Sequence, residues 1–232
     1  MEAAQPTRPV CHCLDAQYGD SKWTELQMHV EQQDVDCEAW QRLNELIDAA
    51  IRDGREEISF GQELGWETWT QIIELPASIA KLKQVKRLVL YGSGLVRIPP
   101  EIGEMESLEI FQPYTSYRLH WLPYEIRRCR KLGQSTISTR ALYGNYKHRP
   151  PFPALPQLHP SYLPKECSIC REPLTDTVLQ RWVTLRIATD VVPLLVHACS
   201  EKCVAAIPTP PENYVQTPHE GGLQLQQPAS GW

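Results

Sequence analysis

Leu75-Pro76-Ala77-Ser78-Ile79, Ile98-Pro99-Pro100-Glu101-Ile102 and Leu122-Pro123-Tyr124-Glu125-Ile126 are one five-residue step written three times, at spacings of 23 and then 24 residues. Apolar positions recur after each step. Leu82, Val85, Leu88, Leu90 and Leu95 follow the first, and Met105, Leu108, Phe111 and Leu119 follow the second, with Pro113 where an aliphatic residue would sit. The third is followed by Leu132, Ile137 and Leu142, with Cys129 and Ser135 as weaker occupants. Leu88-x-Leu90 has the period of a strand. The three-residue steps before it suit a helical or 3₁₀ segment returning along the other side. A unit of this kind exposes an apolar flank that it cannot bury alone, so units of this length must stack.

Working outward, Asp36 can cap a helix whose Trp40, Leu43, Ile47, Ala50 and Ile51 fall on one face, with Gly54 as its stop signal. Glu57-Ile58-Ser59-Phe60 reads as the first of four strands, the others at 87–91, 110–114 and 134–138. An insertion carrying Trp66 and Trp69 separates the first strand from Leu75, and a packed loop is its simpler reading. The outward residues of the four strands include Glu57, Ser59 and Ser138 at the edges. Between them lie Arg87, Val89, Tyr91, Ile110, Gln112, Tyr114, Gln134 and Thr136, the candidate partner-binding face. Tyrosine and arginine dominate binding hot spots, and Tyr91 and Tyr114 hold equivalent positions in neighbouring units.

Six prolines between Lys147 and Pro164 enforce an extended path, with Phe152, Leu155, Leu158 and Tyr162 available to bury. Beyond them stand Cys167-Ser168-Ile169-Cys170 and Cys199-Ser200-Glu201-Lys202-Cys203. The first pair suits a knuckle, and the second falls on one face of a helix that Ser200-Glu201 can start. Four thiolates fill a tetrahedral zinc shell, which is the closed, structural kind. His197 could replace one sulfur, and two redox dithiols are the alternative use of the same pairs. Thr177–Leu185 and Ile187–Val196, rich in β-branched and apolar residues, suit a hairpin between the pairs.

The recurring Leu-Pro-x-x-Ile step over residues 37–145 resembles the bacterial leucine-rich-repeat family. Knuckle, hairpin and helix in order resemble the treble-clef zinc fingers. The resemblance implies an α/β solenoid of about four parallel strands with an N-terminal helical cap, plus a small α+β treble-clef-like module. The implied organisation is an N-terminal extension (1–35), a repeat domain with its cap (36–146), a proline-rich linker (147–165), a finger (166–208) that caps the solenoid, and an extended tail (209–232). One structural zinc would sit on Cys167, Cys170, Cys199 and Cys203. The family usually places Asn after the strand to satisfy the turn. The corresponding positions here are Ser93, Ser116 and Arg140, which implies a missing ladder and irregular later turns.

The chain has 232 residues, 42% of them hydrophobic, and a net charge of -5. That composition fits a packed core and speaks against a nucleic-acid surface covering the whole protein. No run approaches the ~20 apolar residues of a membrane span, and Met1–Val10 lacks the apolar stretch of a secretory signal, so a cytoplasmic location is expected. Cys37 and Cys129 read as small apolar residues, and Cys11-His12-Cys13 as part of an exposed terminus. No phosphate loop, nucleophile elbow or His-Glu-x-x-His step is present, and a saturated metal site offers no open position. The expected function is therefore non-catalytic binding of a protein through the sheet face, and the architecture suggests an immunity protein that covers a toxin. The alternatives are a nucleic-acid-binding finger, drawing on Arg127, Arg128, Arg130 and Lys131, and an adaptor related to ubiquitin-ligase or other regulatory enzymes.

Overall fold

A computed structural model describes residues 28–155, 163–175 and 177–230. Cys11, Cys13, Leu158, Tyr162 and Trp232 lie outside them. Helix α1 (Glu38–Asp53) buries Ala39, Leu43, Ile47 and Ala50. Its cap is one residue later than the sequence suggests. Cys37 occupies the N-cap, its sulfur accepting from the Trp40 N–H, while Gly54 closes the C-terminus in the left-handed conformation at φ 66°.

Strands β1 (Glu57–Ser59), β2 (Arg87–Val89), β3 (Ile110–Gln112) and β5 (Gln134–Ser135) pair side by side, all parallel. Ile58, Leu88 and Phe111 occupy one row and are fully buried, as period-two alternation requires. Each Leu/Ile-Pro step leads into a 3₁₀ turn, at Ala77–Lys81, Pro100–Glu104 and Tyr124–Arg128. The proline before each turn is held extended, with ψ near 150°. Neighbouring steps also pair with one another: Val96 N–H donates to Ile73 O at 2.9 Å, and Glu74 bridges Arg97 in parallel. The Trp insertion forms two short helices, α2 (Phe60–Leu64) and α3 (Trp66–Trp69), so Phe60 leaves the strand. Trp69 is fully buried and donates to Tyr91 O at 3.2 Å, and the Trp66 ring lies so close to Gly92 that a Cβ there would stand 2.1 Å from it.

A second sheet closes the far end of the stack. Strands β6 (Leu179–Ile187) and β7 (Asp190–Ala198) form an antiparallel hairpin, and β4 (Leu122–Pro123) pairs with β7 in parallel through Leu122↔Leu194 and Pro123↔Leu195. The hairpin turn falls two residues later than expected, at Ala188-Thr189. There Ala188 takes φ 49°, and Ser135 donates to Asp190 Oδ2 at 2.6 Å. One apolar core consequently runs from Leu43 through Leu88 and Phe111 to Leu194, Val196 and Cys167. A smaller cluster of Met28, Trp121, Tyr143, Phe152, Trp182 and Leu195 lies on the other side of β7. The tail is pinned by His219, whose backbone exchanges hydrogen bonds with Trp182 at 2.7 and 3.1 Å.

Two expectations about side chains need correction. Ser138 does not face outward with the sheet; it is buried, because β5 stops at Ser135 and the chain turns inward. The turns are also not left without a polar spine. Ser93 Oγ and Ser116 Oγ lie 2.7 Å apart, Ser116 Oγ donates to Leu90 O at 3.0 Å, and Thr115 N–H donates to Ser138 Oγ at 2.7 Å. Serines at 93, 116 and 138 supply the ladder; Arg140 is exposed.

Candidate metal centre and outward sheet face

The knuckle is tied back on itself: Cys167 N–H donates to Glu172 O at 2.8 Å, and Arg171 N–H to Cys167 O at 3.1 Å. Its position against β7 is set by Ser168, whose N–H donates to His197 O at 2.8 Å and whose Oγ accepts from His197 N at 2.9 Å. The other pair sits at the mouth of α4 (Glu201–Ala205), where Ser200 caps the helix by accepting from Cys203 N–H.

Together these elements bring the sulfurs of Cys167, Cys170, Cys199 and Cys203 within 4.8 Å of one another. Cys170 and Cys199 are 3.5 Å apart and Cys199 and Cys203 3.6 Å. Four thiolates at about 2.3 Å from a tetrahedral zinc stand about 3.8 Å apart along each edge, so the observed spacing fits such a shell. All four are free thiols. The cluster can therefore hold a metal ion. Burial opposes ionisation of Cys167, but the N–H groups of Cys170, Ile169 and Cys199 outweigh it and bring the thiol down to about 7. Glu172 N–H favours the Cys170 thiolate, yet desolvation and the sulfurs of Cys199 and Cys167 leave that thiol raised. One sulfur is thus ready to bind near neutral pH, and a bound cation would draw the protons from the others.

His197 is not in this cluster. Its ring is buried, neither nitrogen hydrogen-bonded among the described residues, and burial lowers its pKa to about 4. Cys129 is a buried core residue whose sulfur donates to Ile102 O at 3.2 Å, with its thiol pushed up to about 12 by burial. Arg128 reaches the knuckle, donating to Cys167 O and Ser168 O at 3.4 and 3.5 Å.

On the four-stranded sheet, Tyr91 and Tyr114 are 46% and 47% exposed, with ring centroids 6.2 Å apart. Arg87 Nε donates to Gln112 Oε1 at 3.0 Å, between half-buried Val89 and Ile110. Gln134 and Thr136 are exposed at the end of the row. Among the described residues no helix is long and apolar enough to cross a membrane. No protein-family model matches the chain, and no curated protein matches it.

Proposed function

We propose that this chain is a non-catalytic protein-binding module of the leucine-rich-repeat type, with a structural zinc at the four cysteines. The observation that carries the reading is the pair of half-exposed tyrosines, Tyr91 and Tyr114, side by side on the outward sheet face. Aromatic rings held this way bury much area on association at small cost in rotamer entropy. Arg87, Val89, Ile110, Gln112, Gln134 and Thr136 surround them with hydrogen-bonding groups and modest apolar area, the composition of a specific interface. Four thiols at tetrahedral spacing support zinc, a shell that iron also accepts. A shell closed by four sulfurs favours a structural role. Toxin neutralisation is the biological role that the architecture suggests, and it rests on architecture alone.

The test is capture of a partner by the wild-type chain and by Tyr91→Ala/Tyr114→Ala, followed by titration of the identified partner with both purified proteins. Binding should fall by at least about tenfold, with the melting temperature unchanged; equal affinity would reject the sheet face. A nucleic-acid reading has weaker support, since Arg127 is engaged with Tyr124 and Arg128 with the knuckle. Binding to mixed DNA and RNA with a steep salt dependence would restore it.

A further inference from the structure

His197 is a buried polar residue of β7 that belongs to neither the apolar core nor the cysteine cluster. Alternation along the strand sends Leu194 and Val196 into the repeat core and Leu195 towards Trp121 and Trp182. His197 follows Leu195 on that second face and lines a cavity of about 320 Å³. The cavity shares no residue with the outward sheet face. The three Leu/Ile-Pro steps line it with Pro76, Pro99 and Pro123, and the indoles of Trp40 and Trp121 form walls. Its volume is that of a small-molecule site.

We propose that this cavity is a binding site for an uncharged aromatic small molecule bearing a hydroxyl group, with the ring between the prolines and indoles and the hydroxyl on the His197 imidazole. Four observations carry the assignment. The imidazole is 4% exposed, and among the described residues neither Nδ1 nor Nε2 has a hydrogen-bond partner, although such a group is costly to bury unsatisfied. The two ring nitrogens can present a donor and an acceptor, and a hydroxyl can meet either. The flat proline and tryptophan surfaces favour a planar ring. An anion is disfavoured: Arg97, the cation lining the cavity, pairs with Glu74 at 3.0 Å, and the lining's other charged group is a second carboxylate, Glu101. Arg97 also donates to His29 O and Glu31 O, so the strip 29–31 is tied to the same arginine.

The test is a ¹⁹F-detected titration of the full chain with 4-fluorophenol and, as a ring of the same shape without the hydroxyl, 4-fluorotoluene. The ¹⁵N resonances of the His197 ring are followed in parallel. A fragment of this size should bind at about 1 mM, shift a His197 ring nitrogen, and bind about five- to tenfold more tightly than the fluorotoluene. His197→Gln should remove that preference. The proposal is overturned if both rings bind alike, if 4-fluorophenol binds without moving the His197 signals, or if it fails to bind at about ten times that concentration, as when the chain itself or water fills the space. The ¹⁵N readout in the wild type decides the matter even if the variant does not fold.

Discussion

Raising free zinc should raise the melting temperature of this protein at a slope set by one site. A ligand that binds only the folded state stabilises it by an amount that grows with the logarithm of its concentration, about 1.4 kcal/mol per tenfold once the site is saturated. The four sulfurs form one cluster among the described residues, so one ion is counted there. In a chain of 232 residues 1 kcal/mol moves the midpoint by about 2–4 °C, which gives roughly 3–6 °C per decade of zinc. The full slope requires that the site melt with the core. That condition is met structurally: Cys167 and Cys203 are buried in the same cluster as Leu194, Phe111 and Leu88. Scanning fluorimetry in a series of zinc buffers measures the slope directly. Cys170→Ser is the control, because Cys170 is exposed and its loss disturbs little packing. The variant should show almost no slope. A flat wild-type series would refute the metal assignment, or show that the finger melts before the rest; exchange protection of β7 distinguishes these. A wild-type slope in Cys170→Ser would refute the four-cysteine shell.

Three further perturbations probe the stack that carries the face and the tail pinned on the second sheet. Ser116→Ala removes the acceptor of the Ser93 hydroxyl and the closer donor to Leu90 O, leaving Leu90 O with the Ser93 N–H at 3.3 Å and Ser93 Oγ with the Leu95 N–H at 3.4 Å. Urea unfolding should register a loss of roughly 1–3 kcal/mol, against about 1 kcal/mol for Ser93→Ala. Gly103→Ala places a Cβ 2.5 Å from the carbonyl oxygen of Glu125, a backbone atom that cannot step aside; about 2 kcal/mol or more should be lost, and an unchanged midpoint would contradict the packing of the second step on the third. Burial depresses His219 to about 4 from its ordinary 6.5. The unfolded chain therefore takes up a proton below about 6.5 that the native ring refuses until about 4. Stability is full above that window and falls as pH drops through it, by up to about 1.4 kcal/mol per pH unit. His219→Asn should remove its share of this slope, His197 supplying the rest over the same window, and an identical profile in the variant would contradict the burial of the ring.

The buried face was legible because its period is redundant. Leu82, Val85, Leu88, Leu90, Leu95, Met105, Leu108, Phe111 and Leu119 repeat at fixed offsets, and every one is buried. The metal cluster was legible for a similar reason, since two tight cysteine pairs leave few ways to meet other than around one ion. The serine ladder was not. Its third member comes 22 residues after Ser116, two short of the 24-residue spacing that leads to the third step, so counting by repeat points to Arg140 when the hydroxyl in place is Ser138. A two-residue contraction at the end of a shortened strand is invisible to spacing. Nor could the pattern show that Tyr124 and Glu125 would be buried. Polar residues on a 3₁₀ turn read as solvated until another element lies over them, and here the knuckle does so, through Arg128 and Ser168.

That contact bears on how the two ends of the molecule are joined. The hairpin meets the stack on both of its layers at once. β7 extends the ladder of Leu/Ile-Pro steps at Leu122 and Pro123, while Ser135, on the last strand of the four-stranded sheet, holds the hairpin turn through Asp190, Thr189 and Ile187 O. An end strand of a parallel sheet otherwise presents unpaired backbone groups and an apolar edge to water. The hairpin covers both, and the metal cluster fixes the knuckle and α4 at its open ends, where Cys170 and Cys199 meet across 3.5 Å. Order at the four-cysteine cluster is thereby communicated to Gln134 of β5 and the adjacent Thr136 through rigid pairing rather than through a flexible tether. Loss of the ion should accordingly loosen the C-terminal edge of the outward face first and the Tyr91–Tyr114 pair last, a gradient that hydrogen exchange can resolve strand by strand.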